Sequence, residues 1–407
     1  MRTKHLIPHH AEGLTYAARD YAAREDYGGG DPGGGGGGGI DPLEGFPDAV
    51  LGLIVSKLPF RSAVAASAIS RQWRGAAAAA PALDIDFAAA FPAGPRRRAA
   101  FAAATTAALV PRSAPPGPCP RPHPLRSLRL ALEGLFDQAF AASAADHLAS
   151  WLAAAAARGV ERLELRLPRS RLAVLPPSLL ACTSLTSLTL RLDHYALPLP
   201  SLTPFTRLSR LHIASVSLTG DDDFFGDLFS HCTELRHLIL EQCRIGALRL
   251  DGPSRLCSLA ITDCTWTQES SLAVFEMPEL RTLRYSGAMA TRHIIDRDIS
   301  LNEVLLAVEK PQPSEGKRRR CSDGECHGVL RSKGVMVKHL KGIRMQYIDE
   351  SKSGFELVKL LLRNAPALEM MNIVPSMDGL EQAKFRRRVL KLRKSSQNAS
   401  IQFCTAG

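Results

Sequence analysis

Aromatic residues make up only 6% of the 407-residue chain, and its nine cysteines are scattered without a C-x-x-C pair. Few rings argue against a nucleic-acid surface, which interleaves stacking aromatics with its basic residues. Scattered cysteines point to reduced thiols, and hence to the nucleus or cytoplasm. No apolar run approaches the roughly 20 residues that cross a bilayer; the alanine-rich stretch Trp151 to Ala157 is short and closed by Arg158. Met1 to Pro8 lacks the apolar core of a signal peptide. The glycine run has no following Gly-Lys-Ser/Thr, and there is no G-x-S-x-G elbow, H-E-x-x-H pair or C-G-S-C-W context. Cys321, Cys326 and His327 could supply three metal ligands, but a four-ligand zinc site needs a second pair nearby, so no metal or cofactor is expected.

With 45% hydrophobic and 22% charged residues, the composition is that of a globular protein of two or three domains. The net charge of +11 is spread over separate clusters, Arg96 to Arg98, Lys317 to Arg320 and Phe385 to Lys394, rather than one stripe. That distribution disfavours a dedicated nucleic-acid module. Lys317 to Arg320 could be an import signal or a solvated loop.

Residues 1–39 end in a glycine tract that has too much backbone entropy to lose and no side chains to bury, so a flexible leader is expected. A compact helical region follows at 40–87, then a Pro/Ala-rich linker at 88–124 with a short helix around Ala99 to Leu109. From 125 to 308 a phrase recurs, apolar-x-x-Leu-x-apolar, with central leucines at Leu128, Leu163, Leu188, Leu211, Leu238, Leu259 and Leu283. The steps are 35, 25, 23, 27, 21 and 24 residues, and all but the first fall in the period of leucine-rich repeats. Segments 219–234 and 267–279 are expected to form short convex-side helices, and 135–157 a longer one. Residues 309–332 lose all apolar periodicity and read as a disordered basic insertion, before an α/β segment at 333–405. The expected fold class is α/β: a three-helix unit, a solenoid with a parallel sheet, and a C-terminal α/β segment.

In a strand, Leu-x-Leu sends both leucines to one face and the residue between them to the other. One strand cannot bury its own face, but strands stacked at a fixed period form a continuous core and leave a concave surface open. The outward positions include Arg129, Arg162, Arg166, Arg191, Arg210 and Arg284, with His212 and His237, against Glu164 and Glu241. An acidic or phosphorylated protein substrate suits such a face, because guanidinium forks grip carboxylate and phosphate. A solvated face that uses arginine for solubility is the bland alternative.

The stretch "FPDAVLGLIVSKLPFRSAVAASAISRQWRG" starts at Phe46, places Pro47 and Asp48 at a helix start, and stops that helix at Pro59. Val50, Leu51, Ile54, Val55 and Leu58 cover nearly half the helix circumference, with Val64, Ala68 and Ile69 on a second face. Three helices of about ten residues bury little area alone, so a unit this small leans on a partner. The order Phe46-Pro47-Asp48, Leu51, Ile54, Leu58-Pro59, Val64, Ile69-Ser70-Arg71 and Trp73-Arg74 resembles an F-box, with Phe46 and Ile69 where leucine is usual. Together with the repeats and the segment "LKGIRMQYIDESKSGFELVKLLLRNAPALEMMNIVPS", the chain resembles the F-box/LRR/FBD family of plants.

The resemblance implies a non-catalytic substrate-recognition subunit of a Skp-cullin-F-box ubiquitin ligase. Its F-box would dock on a Skp-type adaptor, which bridges to cullin and RING subunits, while the repeats hold the substrate. The adaptor contacts it implies are Phe46, Pro47, Val50, Leu51, Ile54, Leu58, Pro59, Val64 and Ile69, with Trp73 packing the unit's own helices. Neither nucleic acid nor membrane is an expected partner. The alternative is a non-ligase repeat scaffold with a degenerate F-box.

Overall fold

The computed structural model describes residues 46–90, 98–110, 124–136, 143–167, 174–192, 200–218, 224–250, 255–274, 277–287, 292–295, 301–308, 338–348, 352–375 and 379–404. The leader at 1–39, the insertion at 309–332 with its three potential metal ligands, and the basic run 317–320 lie outside the described residues.

Two prolines and a serine punctuate the first helices. Pro47 precedes α1 (Asp48–Val55), Pro59 precedes α2 (Phe60–Ile69), and Ser70 caps α3 (Arg71–Ala79), its Oγ accepting from the Trp73 N–H at 3.3 Å. Gly52 lets α1 sit directly on α3: a Cβ there would come within 3.3 Å of the Ala76 carbonyl and 3.4 Å of that of Ala79. Leu51, Val55, Phe60, Ala66, Trp73 and Ala76 fill the interior between these helices.

The chain then enters the sheet earlier than its leucine pattern suggests. β1 (Ala82–Asp86) is followed by the one-turn α4 (Phe87–Ala90) and by α5 (Arg98–Leu109). β2 (Ser127–Ala131), α6 (Ala144–Ala157), β3 (Arg162–Arg166), a 3-10 turn at Pro177–Ala181 and β4 (Ser187–Arg191) build the first repeats. Next come β5 (Arg210–Ala214), β6 (Ser217–Leu218), α7 (Phe224–His231), β7 (His237–Glu241), β8 (Arg244–Leu250) and β9 (Ser258–Val274). β10 (Thr282–Gly287), β11 (Arg292–Ile295), β12 (Glu303–Val308), β13 (Gly342–Ile348), α8 (Lys352–Asn364), β14 (Met370–Pro375), α9 (Gly379–Leu390) and β15 (Ser400–Phe403) complete the fold.

The main sheet runs β1-β2-β3-β4-β5-β7-β9-β10-β12-β13-β14-β15, with every pairing parallel. One column of core residues crosses it in register: Leu83, Leu128, Leu163, Leu188, Leu211, Leu238, Leu259, Leu283, Val304, Ile343, Met371 and Ile401. The seven leucines of the repeat phrase are its centre. Leu83 joins at one end, and Val304, Ile343, Met371 and Ile401 take over at the other, where different apolar side chains fill the same slot. The sheet continues from β12 to β13, with Val304 opposite Ile343, although the basic insertion separates them in sequence.

A tight corner follows the central strands. Ser215, Gln242 and Asp263 adopt positive φ of 59°, 51° and 52°, turning the chain so that the next residue, Val216, Cys243 or Cys264, points back into the core. Beyond that corner, β6, β8, β11 and the second half of β9 form a further parallel set. The short helix expected at 267–279 is therefore corrected: β9 runs to Val274, and β-branched and aromatic residues at Thr265, Trp266 and Thr267 favour a pleated strand. The helix expected at 219–234 forms as α7, and that expected within 135–157 forms as α6.

The region read as a linker, 88–124, contains α5, which cements the helical unit to the repeats. Phe101 is fully buried, with edge-on ring contacts to Phe60 at 5.5 Å and Phe87 at 5.0 Å, and the Trp151 indole N–H donates to Thr106 Oγ1 at 2.9 Å. Arg158, the C-cap of α6, lies beneath this junction. Its guanidinium donates to the carbonyl of Ala80, the C-cap of α3, and to that of Ala108 in the last turn of α5, both at 3.4 Å. One cation thus serves the negative ends of three helices. Burial pushes its pKa down from the usual arginine value.

At the other end, Phe385 of α9 packs edge-on against Phe355 and Phe403, and the Arg388 guanidinium lies 4.2 Å from the Phe355 ring centre. The C-terminal α/β segment therefore adds strands and helices to the same solenoid rather than standing apart.

Replacing Arg158 with alanine leaves the ends of α3 and α5 without their shared donor. Urea unfolding should show a loss of about 1.5–3 kcal/mol, with Arg158→Lys intermediate; a change under about 0.5 kcal/mol would remove the clasp role.

Candidate functional site

Among the described residues, the expected contact side chains fall on two surfaces: the open face of the sheet and one side of the N-terminal helices. On the sheet, the strand register sorts the outward side chains into rows. The first row reads Ala82, Ser127, Arg162, Ser187, Arg210, His237, Ser258 and Thr282 from β1 to β10. The middle row reads Asp84, Arg129, Glu164, Thr189, His212, Ile239, Ala260 and Arg284, and the third reads Asp86, Ala131, Arg166, Arg191, Ala214, Glu241, Thr262 and Ser286.

The eight residues expected to face the substrate all project from this sheet, and the structure divides them. Arg129 is surrounded by carboxylates, at 2.6 Å from Asp84, 3.2 Å from Asp86 and 3.4 Å from Glu164, and Glu164 also accepts from Arg166 at 2.5 Å. Burial lowers the Arg129 pKa, but the Asp84 hydrogen bond and the three carboxylate charges outweigh it and raise it. Arg191 and His212 converge on Glu241 at 2.7 and 2.9 Å, and Arg191 also donates to Gln242 at 3.3 Å. Burial alone would raise the Glu241 carboxyl, yet hydrogen bonds and charge from Arg191, together with His212, hold it below the usual 4.5.

Arg162, Arg210 and Arg284 make no ion pair among the described residues, and all three are exposed. His237 lies between these classes. Burial, followed by the charges of Arg210 and Arg236, holds its imidazole below the usual 6.5. The neutralising pair Asp84 and Asp86 was not among the expected face residues, although the alternation Leu83-x-Ile85 between them signals a further strand. Near this end, a cleft of about 310 Å³ is bounded by Ser56, Asp84, Arg129, Arg162, Glu164 and Thr189.

On the helical unit, Phe46, Val50, Leu53 and Val64 are 45, 39, 55 and 37% exposed, a group of apolar side chains turned to solvent. Pro47 and Pro59 are exposed, while Ile54 and Leu58 are partly buried against the core. Leu51, expected to be a contact, is corrected: it is fully buried beneath the patch, one side of α1 facing α3 while the other carries Val50 and Leu53. The side chain of Ile69 lies outside the described residues. Leu53 was missed because its helix position falls outside the stripe drawn through Leu51, Ile54 and Leu58. The Gln72 side chain donates to the Phe46 carbonyl at 2.9 Å, tying the start of the patch to α3.

Among the described residues there is no group of three or more His, Cys, Asp or Glu able to hold a metal ion, and no helix is long and apolar enough to cross a membrane. Burial pushes the thiols of Cys182 and Cys232 up to about 11, which suits packing rather than nucleophilic chemistry.

Strands in register and a corner after each central strand define a leucine-rich-repeat solenoid that follows a helical N-terminal unit. Residues 148–302 match the family model described as "FBD-associated F-box protein At5g56370, LRR repeats". The chain is also 28% identical over 285 residues to the F-box/LRR-repeat protein At1g06630 of Arabidopsis thaliana, an alignment covering 68% of this chain and 66% of that protein, just under two thirds of its length. By these matches the chain is similar to plant F-box/LRR proteins, the family model covering its repeats.

Protonation of Glu241 releases both Arg191 and His212. Its folded pKa lies below the unfolded one, so its contribution to stability is present above about pH 4.5 and is lost as pH falls through the folded value. A Glu241→Gln variant should show a shallower loss of stability on the acid side in urea titrations between about pH 5 and pH 3; a limb as steep as the wild type would contradict this.

Proposed function

We propose that the chain is the substrate-recognition subunit of a Skp-cullin-F-box ubiquitin ligase. F-box/LRR proteins in general serve such complexes as non-catalytic subunits. In this reading, Phe46, Val50, Leu53 and Val64, flanked by Pro47, Pro59, Ile54 and Leu58, form the surface that meets a Skp-type adaptor, through which cullin and RING subunits are recruited. The open face of the repeats receives a protein substrate. The place of action is the nucleus, the cytoplasm or both, as reduced cysteines would allow; the six described cysteines are free.

The observation that supports the reading most is the exposed apolar group on the helices. These side chains are 37–55% exposed, so covering the remainder of each returns about half of the roughly 1.5–3 kcal/mol that full burial is worth. The patch also lies on a different element from the unpaired arginines of the sheet, so one chain can hold two partners at once.

Co-expression with a Skp-type adaptor tests it. The wild-type chain should co-purify stoichiometrically, and Val50→Asp with Leu53→Asp should weaken capture at least about tenfold without changing the circular dichroism. Leu51→Asp is unsuited, because it would place charge in the unit's own core. Equal capture of both forms, or capture of neither, would overturn the reading; failure of both would favour the scaffold alternative.

A further inference from the structure

The sheet ends differently at its two edges. At β1, Leu83 and Ile85 are buried, with α2 of the helical unit packed against the strand. At β15, Ile401 and Phe403 are only partly buried, whereas the residues they pair with in β14, Met371 and Ile373, are fully so. β15 has one partner among the described residues, β14. Ser400 and Cys404 donate their N–H groups to the Glu369 and Ile373 carbonyls at 2.9 Å. Strand alternation then turns the N–H and C=O groups of Ile401 and Phe403 the other way, toward the open edge.

α9 supplies the rest of this end. Phe385 and Val389 face the core, and two arginines flank that stripe: Arg388 lies over Phe355 of α8, and Arg386 lies over Phe403 of β15, 5.4 Å from the ring centre. The Arg386 side of the helix is thus the outer one, and Leu390, one turn further on, is 49% exposed beside it. From Gln382 to Gly407 the sequence holds seven lysines and arginines and no carboxylate. Arg386, Arg387, Lys391 and Arg393 are exposed and make no ion pair among the described residues.

We infer that this end of the solenoid docks an extended acidic segment of a partner protein, added to β15 as a further strand with its carboxylates against α9. The surface is separate from both the helical patch and the open face, and the inference does not depend on the ligase reading. Repeat arrays close their ends with a polar outer face, and exposed edges are blunted by lysine, proline or a bulge. Ser400–Phe403 has none of these. What the edge offers is backbone groups, the apolar Ile401, Phe403 and Leu390, and a positive field. An added strand meets all three: its backbone pairs with β15, and side chains two apart share a face. An apolar residue over Phe403 is then followed by a carboxylate in reach of Arg386 and Arg387, whose guanidinium forks favour that partner.

Other occupants fit less well. A second copy joined edge to edge through a two-fold axis would set one basic α9 end against another, and like charges across an interface are costly. A nucleic acid would use the charge but neither the strand edge nor Leu390.

The test uses the full chain and a fluorescein-labelled pool of short peptides in which Val, Ile or Thr alternates with Glu or Asp, read by anisotropy. Binding should be at least about tenfold tighter than to a pool with lysine at the acidic positions, or to one interrupted by prolines that cannot pair along a strand. Arg386→Glu with Arg387→Glu should erase that preference and Leu390→Asp should weaken binding, whereas Arg162→Glu with Arg210→Glu on the open face should leave it intact. In residue-resolved hydrogen exchange, the acidic pool should slow the Ile401 and Phe403 amides at least about tenfold and leave those of Ser400 and Gln402, which face β14, little changed. Equal binding of the acidic and lysine pools, or a preference that survives the α9 reversal, would overturn the inference. So would Ile401 and Phe403 amides as protected as Ser400 in the free chain, a dimer in sedimentation equilibrium that Leu390→Asp dissociates, or a single-stranded oligonucleotide that binds as tightly.

Discussion

Everything in this molecule depends on one column of apolar side chains crossing twelve parallel strands in register, from Leu83 to Ile401. A parallel strand has no local partner, so each repeat is stable only because its neighbours bury its Leu-x-Leu face. That dependence fixes the register, and the register fixes the opposite face. Once Leu163, Leu188 and Leu211 align, Arg162, Ser187 and Arg210 have no choice but to align beside them. The open face is thus a by-product of core packing, and its chemistry can vary without disturbing the core.

The same logic explains how the helical unit is held in place. β1 continues the sheet toward the N-terminus, and α5 and Arg158 fasten the helices behind it. With α3 ending one residue before the Ala80 cap and β1 starting at Ala82, little slack separates the exposed apolar side chains of α1 and α2 from the first repeat. A substrate held on β3 to β7 would therefore stand in a defined relation to whatever binds α1 and α2, which is what transfer of a group to that substrate by a separate enzyme requires.

The centre of the solenoid was legible because Leu-x-Leu repeats at a narrow period, and the F-box-like order of Phe46 to Arg74 was legible because prolines and a capping serine mark its helices. The ends were harder. β1 hides its strand in Leu83-x-Ile85, next to the helices, and the last four strands replace leucine by Val304, Ile343, Met371 and Ile401, so the phrase dissolves although the slot persists. The electrostatics of the face were least legible. Which arginines are neutralised depends on Asp84 and Asp86 reaching across from β1, and on Glu241 meeting Arg191 from two strands away, and neither pairing leaves a trace in local sequence.

The most direct test of the account is hydrogen exchange of the full chain with and without a Skp-type adaptor. The account predicts new protection confined to α1 and α2, with the strands β3 to β7 unchanged and the sheet register intact. Protection on the open face of the repeats, or none anywhere, would contradict the division of the molecule into an adaptor-binding patch and a separate substrate face.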